Sequence, residues 1–294
     1  MSTILKLRNL ARTVLRSVFG SRIFFDAAEK IARTIQGPTL ISVTYHDTPQ
    51  SDLINFRKQL NWYKSKFDNC TLEDLQLFLE KGVWRKSKPG IIITFDDGLA
   101  SNYLYASQIL EAYGFTGWFM VPVGIIDLPE NDHLLFAQDG LVDFSFLPGQ
   151  KRLFMSRDEL LDLRSRDHQI VCHSFSHVRL SESLSNEQMN NEVKVAKKRI
   201  ETVLGESVDS FAWVGGEEHA YSKAAMRAVE DSGYKFVFAT NCSPIYPSQN
   251  PMLLERYHVD AKFSLNEIRF SISWIYKLLY RAKRARVKNI LFSK

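Results

Sequence analysis

Residues 39 to 240 alternate between short apolar stretches typical of β-strands and longer stretches with helical periodicity. Repeated β–α units place parallel strands side by side with helices outside, so they predict a sheet or a barrel. The predicted strands are 39–45, 91–95, 116–122, 169–172, 208–214 and 235–240, and the predicted helices are 52–66, 100–113, 156–165, 184–204 and 222–232. Ser185 and Gln188 predict a capping box at the start of helix 184–204. Residues 125–149 lack a clear period and predict a long loop.

Two neighbouring aspartates follow the most apolar of these strands. Ile91 to Phe95 is typical of a buried strand, and Asp96, Asp97 and Gly98 come directly after it. Aspartate is a poor strand residue and a buried carboxylate is costly, so the pair suits a functional site better than a core. Because successive strand side chains point to opposite faces, we expect a turn at Asp97 that brings both carboxylates to one cavity.

Two histidines follow a second predicted strand. His173 and His177 come after 169–172, and the carboxyl ends of parallel strands meet where barrel active sites lie. One aspartate with two histidines can hold a metal ion and leave one position open for water. Such ligands suit Zn²⁺, and also Co²⁺, Ni²⁺, Mn²⁺ or Fe²⁺. Taken alone, Asp-Asp-Gly is also a common turn, and two histidines four residues apart are also common in cores and on exposed helices. The occurrence of both motifs after predicted strands favours a functional site.

The two motifs together predict a hydrolase. With Asp97, His173 and His177 on a metal ion, Asp96 stays free to take a proton from the attacking water. A metal ion also polarises a substrate carbonyl. Hydrolysis of an amide or ester follows from these roles.

Composition fits an α/β protein in a reducing compartment. The 294 residues are 45% hydrophobic, enough for one large domain or two small ones. Three scattered cysteines predict neither a disulfide framework nor a cysteine-type zinc site. No apolar run approaches a membrane span, and arginines interrupt residues 1–20 too often for a signal peptide, so we expect a cytoplasmic protein.

The basic charge is concentrated at the two ends of the chain. Residues 1–22 carry five basic side chains and residues 277–294 carry seven, with no acidic ones in either segment. Subtracting these charges from the net +5 leaves the central body at −7. Both ends also have apolar residues at helical spacing, typical of helices on an anionic membrane surface or of terminal helices packed on a domain. The pattern does not separate these two interpretations. No nucleic-acid partner is expected, because no binding motif accompanies the charge.

Four segments resemble one family. Thr-Phe-Asp-Asp-Gly at 94–98 and His-Ser-Phe-Ser-His at 173–177 closely resemble the polysaccharide deacetylase family, also called the NodB-homology or carbohydrate esterase 4 group. Tyr-His-Asp at 45–47 is similar to a Tyr-His element near the start of many members, and residues 115–122 resemble a family strand ending in Val-Pro. The resemblance covers roughly residues 40–260. It implies a distorted (β/α) barrel, usually seven-stranded, and metal-dependent removal of N- or O-acetyl groups from sugars.

The resemblance also implies roles for individual residues. By position, Asp96 is implied to be the general base, with Asp97, His173 and His177 as the metal ligands. Arg256 is the candidate to replace the family arginine that orients the catalytic aspartate, although the family's Leu-x-His has leucine there. His258 is the candidate for the late histidine that protonates the leaving amine.

The third family motif is altered in this chain. Members typically carry Arg-x-Pro-Tyr, or Tyr-Pro-Tyr-Gly in some bacterial branches, whereas residues 211–216 read Phe-Ala-Trp-Val-Gly-Gly. The resemblance implies that the N–H of Gly215 stabilises the oxyanion, and Trp213 is assigned with it to substrate binding. A glycine presents an N–H equally well but holds it less rigidly.

We therefore expect a (β/α) barrel with amphipathic helical extensions: residues 1–38, a NodB-like domain at 39–262, and a basic tail at 263–294. The expected activity is metal-dependent removal of an acetyl group, foremost N-acetyl, from a sugar of a bacterial surface polysaccharide or its lipid-linked precursor at the inner membrane face. O-deacetylation, deformylation or cleavage of another C–N bond would use the same site. A NodB-like domain that binds sugar without turnover is the non-enzymatic alternative. The sequence leaves the sugar, the native metal and the oligomeric state open.

Overall fold

The computed structural model describes residues 20–26, 37–142 and 152–293. The strands are β1 (Leu40–Tyr45), β2 (Asp68–Asn69), β3 (Gly90–Phe95), β4 (Gly117–Val121), β5 (Gln169–Cys172), β6 (Ser210–Ala212), β7 (Phe236–Ala239), β8 (Leu254–Glu255) and β9 (Tyr257–His258). The α-helices are α1 (Leu53–Lys66), α2 (Leu72–Lys81), α3 (Gln108–Tyr113), α4 (His133–Asp139), α5 (Arg157–Ser165), α6 (Asn186–Asn190), α7 (Ala196–Leu204), α8 (Lys223–Asp231), α9 (Leu265–Ser271), α10 (Trp274–Leu279) and α11 (Arg281–Phe292). Two π-helical segments, Asn102–Ser107 and Asn191–Val195, run into α3 and join α6 to α7. Most of the N-terminal segment predicted at 1–38 lies outside the described residues.

The strands form one parallel sheet that closes on itself. Its order is β8-β7-β6-β5-β4-β3-β1-β9, with β2 beside β3. Strands β8 and β9 lie at opposite ends of this order but are separated in the chain by Arg256 alone. The segment pairs with β7 on one side and with β1 on the other. One short stretch of chain therefore closes the barrel.

The predicted (β/α) barrel is confirmed, and the strand count differs slightly from the expected seven. Eight strands lie along the path, because the closing segment forms two short strands. The backbone around Arg256 is hydrogen-bonded to both neighbouring strands. The N–H of Arg256 donates to Ala239 O of β7 at 2.8 Å, and the N–H of Val259 donates to Thr44 O of β1 at 3.0 Å. The closing segment is divided into β8 and β9 because its pairing changes from β7 to β1 at Arg256.

Alternating side chains separate the interior of the barrel from its outer face. One cluster contains inward-pointing residues of successive strands, namely Leu40, Ile92, Trp118, Met120, Val171, Ala212, Phe238 and Leu254. Residues at the other positions pack with the surrounding helices. Toward the carboxyl ends the inward positions become polar, as at Thr44, Thr94, Asp96 and Arg256, all of them buried. The sheet therefore presents polar groups at one end of its interior.

The predicted helices are present within a few residues of their expected bounds. Ser185 caps α6 in a capping box with Gln188, as predicted. Helix α2 was missed although Thr71 and Asp74 form the same motif before it. The prediction of a long loop at 125–149 is wrong for residues 133–139, which form α4. This helix buries only His133 and Ala137 and so has a weak apolar period. Residues 143–149 lie outside the described residues.

The C-terminal helices pack on the barrel. Val287 and Leu291 of α11 are buried, and Arg284 donates to the carbonyl oxygens of Asn241 at 2.9 Å and Cys242 at 2.7 Å. Three helices, α9 to α11, thus follow residue 263. Within the described ranges, no helix combines the length and the apolar character needed to cross a membrane.

Candidate metal and catalytic site

Asp97, His173 and His177 converge at the carboxyl end of the barrel. One ligand atom from each lies within 4.8 Å of the others, and all three residues are buried. His177 Nε2 lies 2.8 Å from Asp97 Oδ1, and His173 Nε2 lies 3.6 Å from the same oxygen. The cluster is the one such group of three among the residues that the structure describes.

Backbone carbonyls fix the orientation of both imidazoles. His173 Nδ1 lies 3.0 Å from Ala212 O, and His177 Nδ1 lies 2.7 Å from Gly140 O. A carbonyl oxygen only accepts, so each Nδ1 donates and each Nε2 faces Asp97. Gly140 permits this approach, because a Cβ there would lie 3.1 Å from His177 Cβ. Both rings are thus held as metal-ligating histidines usually are, by a hydrogen bond from the second nitrogen.

The predicted turn after β3 is present. Asp97 adopts a left-handed conformation with φ 73°, and Gly98 follows with φ 65°. The turn redirects the second carboxylate, so that both Asp96 and Asp97 lie close enough to the histidines to be influenced by their charge. Left-handed non-glycine residues are uncommon and cluster at functional sites.

The donors of this cluster fit a divalent cation. Burial tends to raise the pKa of Asp97, but the charge of His177 and hydrogen bonds from both histidines outweigh it and hold that pKa well below its usual value. Burial likewise tends to lower the pKa of His177, and the Asp97 charge raises it instead. The ionised Asp97 carboxylate favours a proton on the His177 nitrogen that faces it. A metal ion would bind between the same two groups and displace that proton.

Asp96 is paired with Arg256 inside the barrel. The guanidinium is fully buried and donates to both carboxylate oxygens, at 2.5 and 2.9 Å. It also donates to Thr94 Oγ1 at 3.0 Å and Thr44 Oγ1 at 3.2 Å. Burial tends to raise the pKa of Asp96, but Arg256 and, secondarily, His173 lower it. The structure therefore keeps Asp96 ionised and in one orientation.

His258 lies at the rim of the same end. His258 is the last residue of β9, two positions after Arg256. Its ring centroid lies 5.4 Å from that of His46, which comes directly after β1. His258 is exposed at this rim, yet partial desolvation and, second, the charge of His46 lower its pKa. The Asp96 charge acts in the opposite direction. The ring is therefore neutral near pH 7 and close enough to Asp96 to be influenced by it.

The altered third motif continues past β6 at this end of the barrel. Gly215 has φ 75°, a left-handed backbone conformation that favours glycine. The structure does not bring Trp213 to the site. Its indole is buried on the outer face of the sheet, with ring centroids 5.2 Å from Tyr221 and 6.0 Å from Phe211. Assigning Trp213 to substrate contact is thereby corrected.

A family model for polysaccharide deacetylases matches residues 85–237, more than half of the chain. The chain belongs to the polysaccharide deacetylase family. The matched region contains both aspartates and both histidines of the site, and ends before Arg256 and His258. No curated protein matched the chain.

Solved structures of low identity share the barrel. The Streptococcus pyogenes deacetylase PplD in complex with acetate is 16% identical with a TM-score of 0.63, covering 80% of this chain and 98% of its own. IcaB from Ammonifex degensii is 18% identical with a TM-score of 0.61, covering 81% and 99%. A de-N-acetylase from Aggregatibacter actinomycetemcomitans is 17% identical with a TM-score of 0.60, covering 79% and 99%. These matches establish the fold of this family member.

Sequence reasoning missed the residues that support the site. Gly140 carries a turn signal in Asp-Gly, but nothing local indicates that its carbonyl accepts from a histidine 37 positions away. Thr44 and Thr94 are polar residues at inward positions of two apolar strands, a signal that could have marked them. Their partner, Arg256, is 162 residues from Thr94 and 212 from Thr44.

Proposed function

We propose that this protein is a metal-dependent deacetylase that removes an N-acetyl group from a sugar of a bacterial surface polysaccharide or its lipid-linked precursor. The observation that carries the proposal is the Asp97–His173–His177 cluster beside an ionised Asp96. Membership of the polysaccharide deacetylase family supports the reaction class. Among the structural neighbours, one binds acetate and another is called a de-N-acetylase.

In this proposal the two aspartates have separate roles. Asp97, His173 and His177 hold a divalent cation, with zinc the first candidate. When bound, the cation supplies Lewis-acid polarisation of the acyl carbonyl. Asp96 accepts the proton of the attacking water as its oxygen bonds to the acyl carbon, and Arg256 keeps that carboxylate ionised and aimed.

Two further residues complete the proposed reaction. The backbone N–H of Gly215 donates to the oxyanion of the tetrahedral intermediate. His258 passes a proton to the nitrogen of the sugar as the C–N bond breaks. Because its low pKa leaves the ring neutral near pH 7, His258 starts without that proton. The proton that Asp96 accepts from the attacking water is the one that His258 receives and passes on to the nitrogen, which returns Asp96 to its ionised form.

Metal analysis combined with an acetate assay tests this function. Purified protein should hold about one metal ion per chain, and the His173→Ala/His177→Ala double variant should hold none. Wild type should release acetate from N-acetylated sugars, lose this activity to a chelator, and regain it with zinc or cobalt. Absence of metal even after reloading would contradict the proposal. Metal without acetate release from any such sugar would exclude N-deacetylation and direct the search to other acyl groups.

We also propose that the C-terminal helices contact an anionic membrane surface, where a lipid-linked sugar would be presented. Helix α10 exposes Trp274 (43%), Leu278 (50%) and Leu279 (62%) beside the basic, acid-free segment 277–294. Tryptophan and leucine favour the membrane interface, and basic side chains favour anionic headgroups. The segment 1–22, which lies mostly outside the described residues, is also basic and acid-free and would favour the same surface.

Vesicle binding tests the membrane contact. Wild type should co-sediment with phosphatidylglycerol vesicles and much less with phosphatidylcholine vesicles, because the basic charges require anionic lipid. Replacing Trp274, Leu278 and Leu279 together with serine should reduce binding. Ile54→Ser, at an apolar side chain of α1 that is 74% exposed, is the control and should bind normally. Equal binding to both lipids, or unchanged binding of the triple variant, would contradict a contact through this surface.

A further inference from the structure

A buried carboxylate holds the loop between the two histidines of the site. Glu192 Oε2 accepts the backbone N–H of Phe175 at 2.9 Å and that of Ser176 at 2.8 Å. Glu192 belongs to the π-helical segment between α6 and α7 and is buried. A buried carboxylate is costly unless it is hydrogen-bonded, so its position on the core side of a helix calls for an explanation.

The loop that Glu192 contacts has an unusual backbone. Ser174 has φ 62° and His177 has φ 56°, both left-handed conformations that non-glycine residues seldom adopt. These two turns let residues four apart in sequence direct their imidazoles to one point outside a helix. Such a backbone persists where its surroundings determine it strongly.

The surroundings hold the loop from two sides. On one side, the loop carbonyls accept hydrogen bonds from the segment that connects β4 to α4. Val123 N–H donates to Ser174 O at 3.0 Å, and Gly124 N–H donates to Phe175 O at 2.7 Å. On the other side its N–H groups donate to Glu192. Removing the carboxylate therefore releases one side and leaves the other intact.

The π-helical turn gives Glu192 its direction. A π turn inserts one extra residue into a helix, which changes the rotational phase of the residues around it, and such turns are frequent at functional sites. Here Met189, Glu192, Val193 and Ala196 are all buried. One polar residue thus shares a face with apolar neighbours and points its carboxylate to the loop.

We propose that Glu192 is a positioning residue for metal binding, acting through the loop that carries His173 and His177. This inference rests on the proposed metal site. Charge-assisted hydrogen bonds to two successive N–H groups fix the loop, and the loop fixes the Nε2 atoms against Asp97. Mutation of residues that orient the metal ligands, without binding the metal themselves, commonly lowers metal affinity by about tenfold to a hundredfold.

Metal affinity of the full chain tests the inference. Glu192→Ala should weaken Zn²⁺ binding by roughly 10–100-fold, measured by competition with a chelator on folded protein. Glu192→Gln keeps an acceptor oxygen without the charge and should lose about tenfold at most. Glu187→Gln, at an exposed position of α6, is the matched control and should bind like wild type. The visible absorption of cobalt-loaded protein should change in Glu192→Ala and not in Glu187→Gln.

The outcomes separate this inference from the proposed function. A wild type that binds no metal overturns both. A wild type that binds metal, with both Glu192 variants equal to it in affinity and cobalt spectrum, overturns the positioning role alone. A lower melting temperature with unchanged affinity has the same meaning, because a purely structural role affects stability only. If Glu192→Ala does not fold, weaker zinc binding by folded Glu192→Gln supports the role, and unchanged binding overturns it.

Discussion

Asp96→Asn is expected to lower the rate of acetate release by roughly 10²–10⁴-fold while leaving the metal content unchanged. Asparagine has nearly the same shape as aspartate, and its carbonyl still accepts a hydrogen bond from Arg256. It has no basic oxygen to take the proton of the attacking water. Metal binding should persist because Asp96 is bonded to Arg256 and not to the histidines.

Asp97→Asn is the informative comparison. This substitution makes the same chemical change, carboxylate to amide, at the neighbouring residue. Because the Asp97 carboxylate faces His173 and His177, metal binding and activity should be lost together. The measurements are metal content, acetate release and a thermal unfolding curve for each variant. An Asp96→Asn protein that is folded, metal-loaded and within about tenfold of wild-type activity would contradict the assignment of Asp96 as the base.

The sequence was sufficient to predict that the three candidate metal ligands lie together. Asp97, His173 and His177 each follow a predicted parallel strand, and such strands end together at one side of a barrel. The turn at Asp97 was also predictable, because two adjacent aspartates at a strand end cannot otherwise face one cavity. The structure has this turn, with φ 73°.

The predictions failed where one face of a strand had to be distinguished from the other. Strands of a parallel barrel are buried on both faces, so their residues are apolar throughout and give no alternation. In 211–214 the sequence offers Phe, Ala, Trp and Val with no sign of which points inward. The structure directs Phe211 and Trp213 outward, which removes Trp213 from the site.

Supporting contacts were not predictable because they join distant parts of the chain. The carbonyl of Gly140 and the carboxylate of Glu192 meet their partners through the packing of helices and strands, across 37 and 16 residues. The pairing of Arg256 with Asp96 spans 160 residues, and the family resemblance suggested it where the local sequence did not. The π-helical turn also shifts the helical period on which a prediction for Glu192 would depend. The reacting groups follow strand ends, whereas the groups that orient them follow tertiary packing.

Arg256→Leu is expected to destabilise the protein by about 3–5 kcal/mol, because it leaves the Asp96 carboxylate buried without its partner. The loss should be larger than for other arginines, since this guanidinium is fully buried and bonded to both carboxylate oxygens and two threonines. Arg256→Lys should recover part of the stability, because an ammonium supplies the charge without the paired geometry of the guanidinium. Chemical denaturation at pH 7 measures both variants.

Arg286→Leu is the matched control. Arg286 also contacts both oxygens of a carboxylate, those of Glu218 at 2.8 Å, but on the surface. Solvent screens exposed pairs, so the denaturation midpoint should hardly change. Similar losses for the two arginines would show that burial of the Arg256 pair is not what makes it important.

The pH dependence of stability provides an independent check on the same pair. Since the folded-state pKa of Asp96 lies below the ordinary value of 3.8, the contribution of the pair is present above that value and lost as the pH falls through the folded pKa. The difference in unfolding free energy between wild type and Arg256→Leu should therefore be largest near neutral pH and shrink in acid. Without the arginine, burial is left to raise the Asp96 pKa, so the acid limb of the activity profile should move to higher pH. A stability difference that is constant from pH 7 down to about 3 would mean that Arg256 contributes through packing and not through its charge.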